Sequence, residues 1–350
     1  MKKYSIPVYF GLLHGFNDCI GGMLLSFYSV QADAAAVVYA YLAYSLLAFG
    51  GQLPVGWLLD NRKNFKPFIF LSFLLLIISV LTAPHFLWIA IILSGLASSI
   101  IHVTGGTICF LQDTKRTMPA GIFTAPGVLG LILGGIAGTS MPVNLFYAWV
   151  PVLVLFFLLV TQLELPSYTS LDKKEAAPVL ETHDYIMLVL LLAIAMRSMI
   201  WNILNMLAGQ HDIKWLLAIG ISAFAGKLFG GYIAEKADWK KYIFISIGIS
   251  AVLLNAGSNS LPVFCAGILL LQSAVPITLW IMQQYLRKQP AMSTAWSLGV
   301  AIILAGLPAY MNQFRTIQQD KKFLLAIFVL LITLNGVWVF KTRQVGTKPN

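Results

Sequence analysis

Two stretches place chemically capable side chains inside almost wholly apolar sequence. GLLHGFNDCIGG (residues 11–22) carries His14 and Asp18 four positions apart, with Asn17 beside them. On a helix that spacing puts both titratable groups on one face. A carboxylate removed from water gains affinity for protons, so the pair is a candidate proton-binding site; the plainer alternative is a helix–helix hydrogen bond. MRSMIWNILN (196–205) carries Arg197, with Trp201 and Asn205 following at intervals of four and Asn202 adjacent. A guanidinium keeps its proton. If buried, it must be met by Asp18, by water or by an anionic ligand, and the polar stripe would line a solute cavity. The rival reading is an arginine snorkelling to a membrane interface.

Two weaker signals accompany these. His102 stands in SSIIHVTGGTICF (98–110), where it reads equally as a packing histidine or a cavity residue. Gln272 opens QSAVPITLW (272–280), ahead of Pro276, an expected kink, and Trp280.

The elements that must position these residues follow from composition. Of 350 residues, 59% are hydrophobic and only 10% charged, against about a quarter charged in a soluble domain. A surface facing lipid accommodates this; a water-soluble globule does not. A helix crossing the hydrocarbon needs roughly 20 residues. Twelve apolar runs qualify: 6–29, 35–58, 67–83, 86–110, 118–138, 144–162, 185–208, 213–233, 241–257, 260–284, 290–310 and 322–341, the third and ninth being short. The expected fold is an all-α polytopic membrane protein with twelve transmembrane helices in two six-helix bundles, 1–162 and 185–350. Residues 163–184, polar and proline-bearing, read as a cytoplasmic linker.

The formal charge of +10 does not point to nucleic acid, because the basic residues fall in short clusters between apolar runs. Of the 23 lysines and arginines, seventeen lie at one set of span ends, four (Lys214, Arg315, Lys321, Lys322) at the other, and Arg197 and Lys227 within spans. The positive-inside rule then makes both termini and the linker cytoplasmic, in the cell's inner (plasma) membrane. Cys19, Cys109 and Cys265 are far apart and sit in apolar surroundings, so no disulfide or metal is expected.

GWLLDNRKNFK (56–66) is a charged knot at the cytoplasmic end of the second span, and GGYIAEKADWKKY (230–242) repeats it in the eighth. Asp60 and Glu235 are 175 positions apart, half the chain. A carboxylate at a helix C-terminus is unfavourable unless a cation or a neighbouring helix N-terminus meets it. Gly56 allows a neighbouring helix to come close.

GQLPVGWLLDNRK (51–63) resembles the loop-two motif of the major facilitator superfamily, G-x-x-x-D-R/K-x-G-R-R/K. Gly56 and Asp60 match its glycine and aspartate, and Arg62 and Lys63 fall near its basic positions; the second glycine is absent. Gly231, Glu235 and Lys236 take the corresponding places in the second half. The resemblance implies a rocking carrier in which Gly56, Asp60, Arg62, Glu235 and Lys236 gate one conformation. It also implies that the first, fourth, seventh and tenth helices line a central cavity. His14, Asp18 and the following glycines are similar to the first helix of the fosmidomycin-resistance group, which implies drug efflux by proton exchange. PAGIFTAPGVLGLILGG (119–135), with Pro126, resembles the helix-five motif of antiporters, although glycine-rich packing explains it nearly as well.

The expected function is therefore secondary transport, with Asp18 and His14 for proton coupling and Arg197, Trp201, Asn202, Asn205, His102 and Gln272 for the solute. Partners would be a small organic solute, anionic or amphipathic, together with protons and membrane lipids, and a monomer would suffice. No cofactor is expected, since no nucleotide-binding loop is present, and no nucleophile–base set argues for an enzyme. Two alternatives stay open: a uniporter or organic-anion exchanger centred on Arg197, and a non-transporting receptor or assembly protein that kept the fold.

Overall fold

The computed structural model describes residues 4–168, 180–208, 212–256, 260–310 and 321–341. Among them every regular element is helical. In chain order these are α1 (Ser5–Ser29), α2 (Ala34–Arg62), α3 (Lys66–Thr82), α4 (Leu87–Gln112), α5 (Met118–Gly138), α6 (Val143–Val160), α7 (Leu180–Ala208), α8 (Ile213–Lys236), α9 (Trp239–Ala256), α10 (Leu261–Tyr285), α11 (Pro290–Ala295 continuing through Ala301–Tyr310) and α12 (Lys321–Lys341).

Eight of these are long and apolar enough to cross a bilayer: α2, α4, α5, α6, α7, α8, α10 and α12. The chain is an all-α polytopic membrane protein. The other four fall short for local reasons. Helix α3 and the apolar part of α11 are brief. Helix α9 spends its first turn on Lys240 and Lys241, and α1 is diluted by His14, Asn17 and Asp18. The polar residues that carry the candidate chemistry therefore also weaken the span that bears them.

Helix boundaries have identifiable causes. Asp33 caps α2 by accepting the Ala36 amide at 2.8 Å, and Asp212 caps α8 through the Trp215 amide at 3.2 Å. Such caps satisfy amides that have no partner within the helix. Helix α7 begins at Leu180, five residues before the expected span, because Glu181, His183 and Asp184 continue the helix beyond the apolar stretch. Helix α10 breaks between Ser273 and Val275. Pro276 follows at once, and its missing N–H cannot bond the Gln272 carbonyl.

The buried apolar side chains form two clusters. One gathers residues of α1–α6, joined by Val275, Leu279, Ala291, Ala295 and Leu298. The other gathers residues of α7–α12, joined by Val128 and Ile132. The outward surface is apolar as well, with Trp57, Phe70, Leu155, Val252 and Phe340 exposed. In water this would be a large liability; in lipid it costs nothing. The basic residues Lys2, Lys3, Lys173, Lys174, Arg315, Arg343 and Lys348 lie outside the described residues.

Candidate solute and proton site

His14 and Asp18 share a face of α1, as their spacing requires, and are in contact: Nε2 of His14 lies 3.1 Å from Oδ2 of Asp18. His102 of α4 joins them, its Nε2 3.8 Å from Oδ1 of Asp18 and its ring edge-on to His14 at 4.4 Å. Asn17 donates to Oδ1 of Asp18 at 2.9 Å and to Ser98 Oγ at 3.0 Å. The candidate ligand atoms of the three titratable groups lie within 4.8 Å of one another, close enough to converge on one small cation, but only the His14–Asp18 pair is at hydrogen-bond distance.

Hydrogen bonding fixes the ring tautomers. Nδ1 of His14 lies 2.9 Å from the Phe123 carbonyl of α5, and Nδ1 of His102 lies 2.8 Å from the Ser98 carbonyl. A carbonyl only accepts, so both Nδ1 atoms carry hydrogen. In a neutral imidazole the remaining nitrogen, Nε2, is then a lone-pair acceptor. Both Nε2 atoms face the same carboxylate, which is also an acceptor. The 3.1 Å His14–Asp18 contact is attractive only if a proton lies in it, on the ring or on the acid.

His14, Asp18 and His102 line a cavity of about 270 Å³. Arg197, Trp201, Asn202 and Gln272 line it too. The structure thus brings seven of the eight sequence-selected proton and solute residues to one space. Asn205 is not among the lining residues, and its Oδ1 is buried without a hydrogen-bond partner among the described residues. Arg197 is 5% exposed and donates from Nη1 to Thr278 Oγ1 at 2.7 Å. The Thr278 hydroxyl can in turn donate to the Val275 carbonyl at 3.0 Å, so it is oriented to receive the arginine. Asp18 makes its close contacts with histidines and not with Arg197.

Sequence alone leaves several participants unassigned. Lys227 of α8 lines the cavity and donates to the Thr124 carbonyl of α5 at 3.0 Å; read in isolation it is a lysine able to snorkel or pair. Thr278, Tyr41 and Phe49 have no pattern that marks them. Gly127 lies against the proton cluster: a Cβ there would overlap His14 Nε2 and Asp18 Oδ2.

The repeated knots meet helix N-termini. Oδ1 of Asp60 accepts the Ala291 amide at 3.1 Å, and Oδ2 accepts the Met292 amide at 2.9 Å, both in the first turn of α11. Tyr168 adds a hydroxyl at 3.1 Å from Oδ1. Burial and the Asp60 charge push the Tyr168 phenol up, so it remains a donor. Glu235 accepts the Met118 amide at 3.0 Å, in the first turn of α5, and faces Arg116 at 3.4 Å. Gly56 makes the Asp60 contact sterically possible, since a Cβ there would stand 3.0 Å from the Ala291 oxygen; at Gly231 it would stand 3.1 Å from Met118 Cα. Arg62 and Lys236 are exposed and take no part in these contacts. At the same end Trp280 and Gln284 of α10 donate to the Thr114 carbonyl at 3.0 and 2.8 Å. The cavity reaches away from this end, towards Leu25, Leu42, Trp201 and Gly306, and its lining includes no residue from either knot.

In fold the chain is similar to solved transporter structures, one of them described as a major facilitator superfamily transporter. The chain aligns over 98% of its length with 98% of a variant of the Escherichia coli fucose:proton symporter FucP, at a TM-score of 0.71 and 11% identity. FucP in its outward conformation gives 0.69 and 12% identity, covering 97% of this chain and 99% of that one. The human organic anion transporter MFSD10 (TETRAN) gives 0.66 and 17% identity, over 95% and 99%. No protein-family model matches the chain, and no curated protein matches it in sequence.

Proposed function

We propose that the protein is a secondary active transporter that moves a small organic solute by alternating access, coupled to protons at Asp18 with help from His14. Helices α1–α6 and α7–α12 act as two bundles, joined by the segment between α6 and α7, and rock about the central cavity. The Asp60–α11 and Glu235–α5 contacts hold the bundles together at the cytoplasmic end, where both termini also lie. The cavity then faces outward. Its modest volume lies near the lower limit of small-molecule sites, roughly 300–1,000 Å³, which suits a small solute.

The observation that carries this reading is the His14–Asp18 contact, which needs a proton and opens onto the space that Arg197, Trp201, Asn202 and Gln272 share. Proton release from this cluster would be coupled to whatever the cavity holds. The aligned fucose:proton symporter supports proton coupling as a property this fold can carry.

The test is flux in proteoliposomes that contain a pH dye. Solutes that stabilise the purified protein are added with and without a proton gradient. Asp18→Asn should abolish uphill accumulation while downhill exchange persists. Normal uphill transport by this variant would remove Asp18 from coupling. A second reading, uniport or anion exchange centred on Arg197, is favoured by the absence of an acidic partner for that arginine among the described residues. It predicts flux that does not respond to the gradient.

A further inference from the structure

We infer that the cavity binds a small organic anion between Arg197 and Lys227, and that proton uptake by the His14–Asp18–His102 cluster strengthens that binding, so that anion and proton travel together. This rests on the transporter reading above and adds the substrate class and the sense of coupling.

The first argument is charge. Two cationic side chains and one carboxylate line the cavity. Arg197 uses one guanidinium nitrogen on Thr278, and Lys227 uses its ammonium on the Thr124 carbonyl. Neither has a carboxylate within ion-pair distance among the described residues, and Asp18 is engaged by the histidines. Arg197 is buried and Lys227 half-buried, and a charge withdrawn from water with no counter-ion is costly. Arg197 and Lys227 come from consecutive helices, α7 and α8, and line the same cavity as Asp18. An anion placed between the two cations would supply the missing charge with several charge-assisted hydrogen bonds, the strong class of contact.

The rest of the wall sets the ligand's body. Phe49, Trp201, Leu279 and Ile303 are apolar, whereas Asn202 and Ser297 offer a few directional polar groups. This suits a compact molecule with one acidic group, a carboxylate, sulfonate or phosphonate, on an apolar frame.

The coupling follows from the same charges. The ionisable groups that line the cavity with Asp18 are His14 on its own helix, Tyr41 and Tyr44 on α2, His102 on α4, Arg197 on α7 and Lys227 on α8, while Cys19 is its chain neighbour; α5 contributes none. With Asp18 ionised, its charge competes with the ligand for the two cations. A proton taken up by the cluster cancels that competition, and the bound anion in turn favours the proton. Such coupling is reciprocal in free energy. Anion affinity should therefore rise as pH falls, which is the thermodynamic signature of symport.

The experiment uses the full chain in nanodiscs with benzenesulfonate, benzoate, phenylphosphonate and hexanoate as probes, each set against its neutral amide. Expected is binding of at least one anion, about tenfold tighter at pH 6 than at pH 8, with no binding of the amide. Arg197→Gln and Lys227→Gln should each weaken it roughly 10- to 100-fold, the size of a lost charge-assisted hydrogen bond. Asp18→Asn should bind with pH-independent affinity. Arg197→Lys, which keeps the charge, should retain part of the affinity and guards against a merely misfolded glutamine variant. Equal binding of the amides, binding that ignores pH, or no binding by any anion would overturn the inference. Proton-coupled flux of a neutral solute would overturn it while leaving the transporter reading intact. Anion binding of the expected kind without flux would do the reverse.

Discussion

Asp60 and Glu235 hold matching posts in the two halves of the sequence, and each binds the first turn of a helix from the other half: Asp60 the amides of Ala291 and Met292, Glu235 the amide of Met118. Each acid terminates its own helix, where the dipole repels it, and lies at the start of another, where the dipole attracts it. The acid gains its favourable surroundings only while the two helices stay together. That makes each contact conditional on one arrangement of the protein, as a gate requires.

Removing the cap should therefore loosen that end more than it unfolds the protein. Asp60→Ala removes an acceptor for two amides, a loss of about 1–2 kcal/mol by analogy with helix caps. This corresponds to roughly a tenfold shift in an open–closed equilibrium. A cysteine introduced at Ala295, which is fully buried, should react faster with a maleimide in the Asp60→Ala background. Unchanged labelling would show that the cap does not hold the closure.

The glycines that permit these contacts should be intolerant in a specific way. Gly56→Val would drive a branched side chain into the Ala291 carbonyl and the Ala295 methyl. Gly231→Val would meet Met118. Both variants should reach the membrane but lose most uptake. Gly248 is the control, because a Cβ there meets nothing within 4 Å. Gly248→Ala should transport normally. Comparable losses at all three positions would assign the effect to general helix disruption.

Much of this was legible in the sequence because membrane insertion writes itself in length and polarity. Long apolar runs must be helices when no water can serve the backbone, and the charge clusters between them mark the ends. The knots were legible because they occur twice. The site was legible only where a helix carries its own partners, as α1 carries His14 and Asp18. His102 and Lys227 reach the cavity from α4 and α8, and a lone polar residue on one helix does not announce which residue it faces on another. Thr278 is less visible still, since a threonine in a membrane helix can satisfy its hydroxyl on its own backbone, as Thr124 does on the Ala120 carbonyl. Asn205 shares the spacing of Arg197 and Trp201 but, one turn beyond Trp201 along α7, is not among the residues that line the cavity.

The two histidines should contribute unequally. His14 lies 3.1 Å from the carboxylate and His102 lies 3.8 Å away. Only the first is at hydrogen-bond distance. His14→Gln should cut gradient-driven accumulation at least tenfold. His102→Gln should retain accumulation with a milder change, because Asn17 and His14 still hold Asp18. Equal loss in both variants would mean that the proton is shared across all three groups rather than held mainly between His14 and Asp18.

The last prediction concerns Gly127, the point where α5 comes closest to the proton cluster. Gly127→Ala adds a single methyl group, and that methyl would overlap His14 Nε2 and Asp18 Oδ2, the two atoms of the proposed proton site. Helix propensity favours alanine over glycine by about 1 kcal/mol, so α5 itself should not suffer. The methyl has to displace one partner from the other. Two effects then oppose each other. Losing a charge-assisted contact weakens proton binding by about 1.5–3 kcal/mol, whereas one extra apolar atom in the cavity wall changes desolvation little. The first effect wins, and the cluster should hold its proton less tightly. One pH unit corresponds to about 1.4 kcal/mol. The pH of half-maximal uptake should therefore move to lower pH by about one to two units, with protein yield and melting temperature close to the parent's. A profile that keeps its midpoint while uptake falls would show that the methyl blocks the solute path and leaves the proton site untouched.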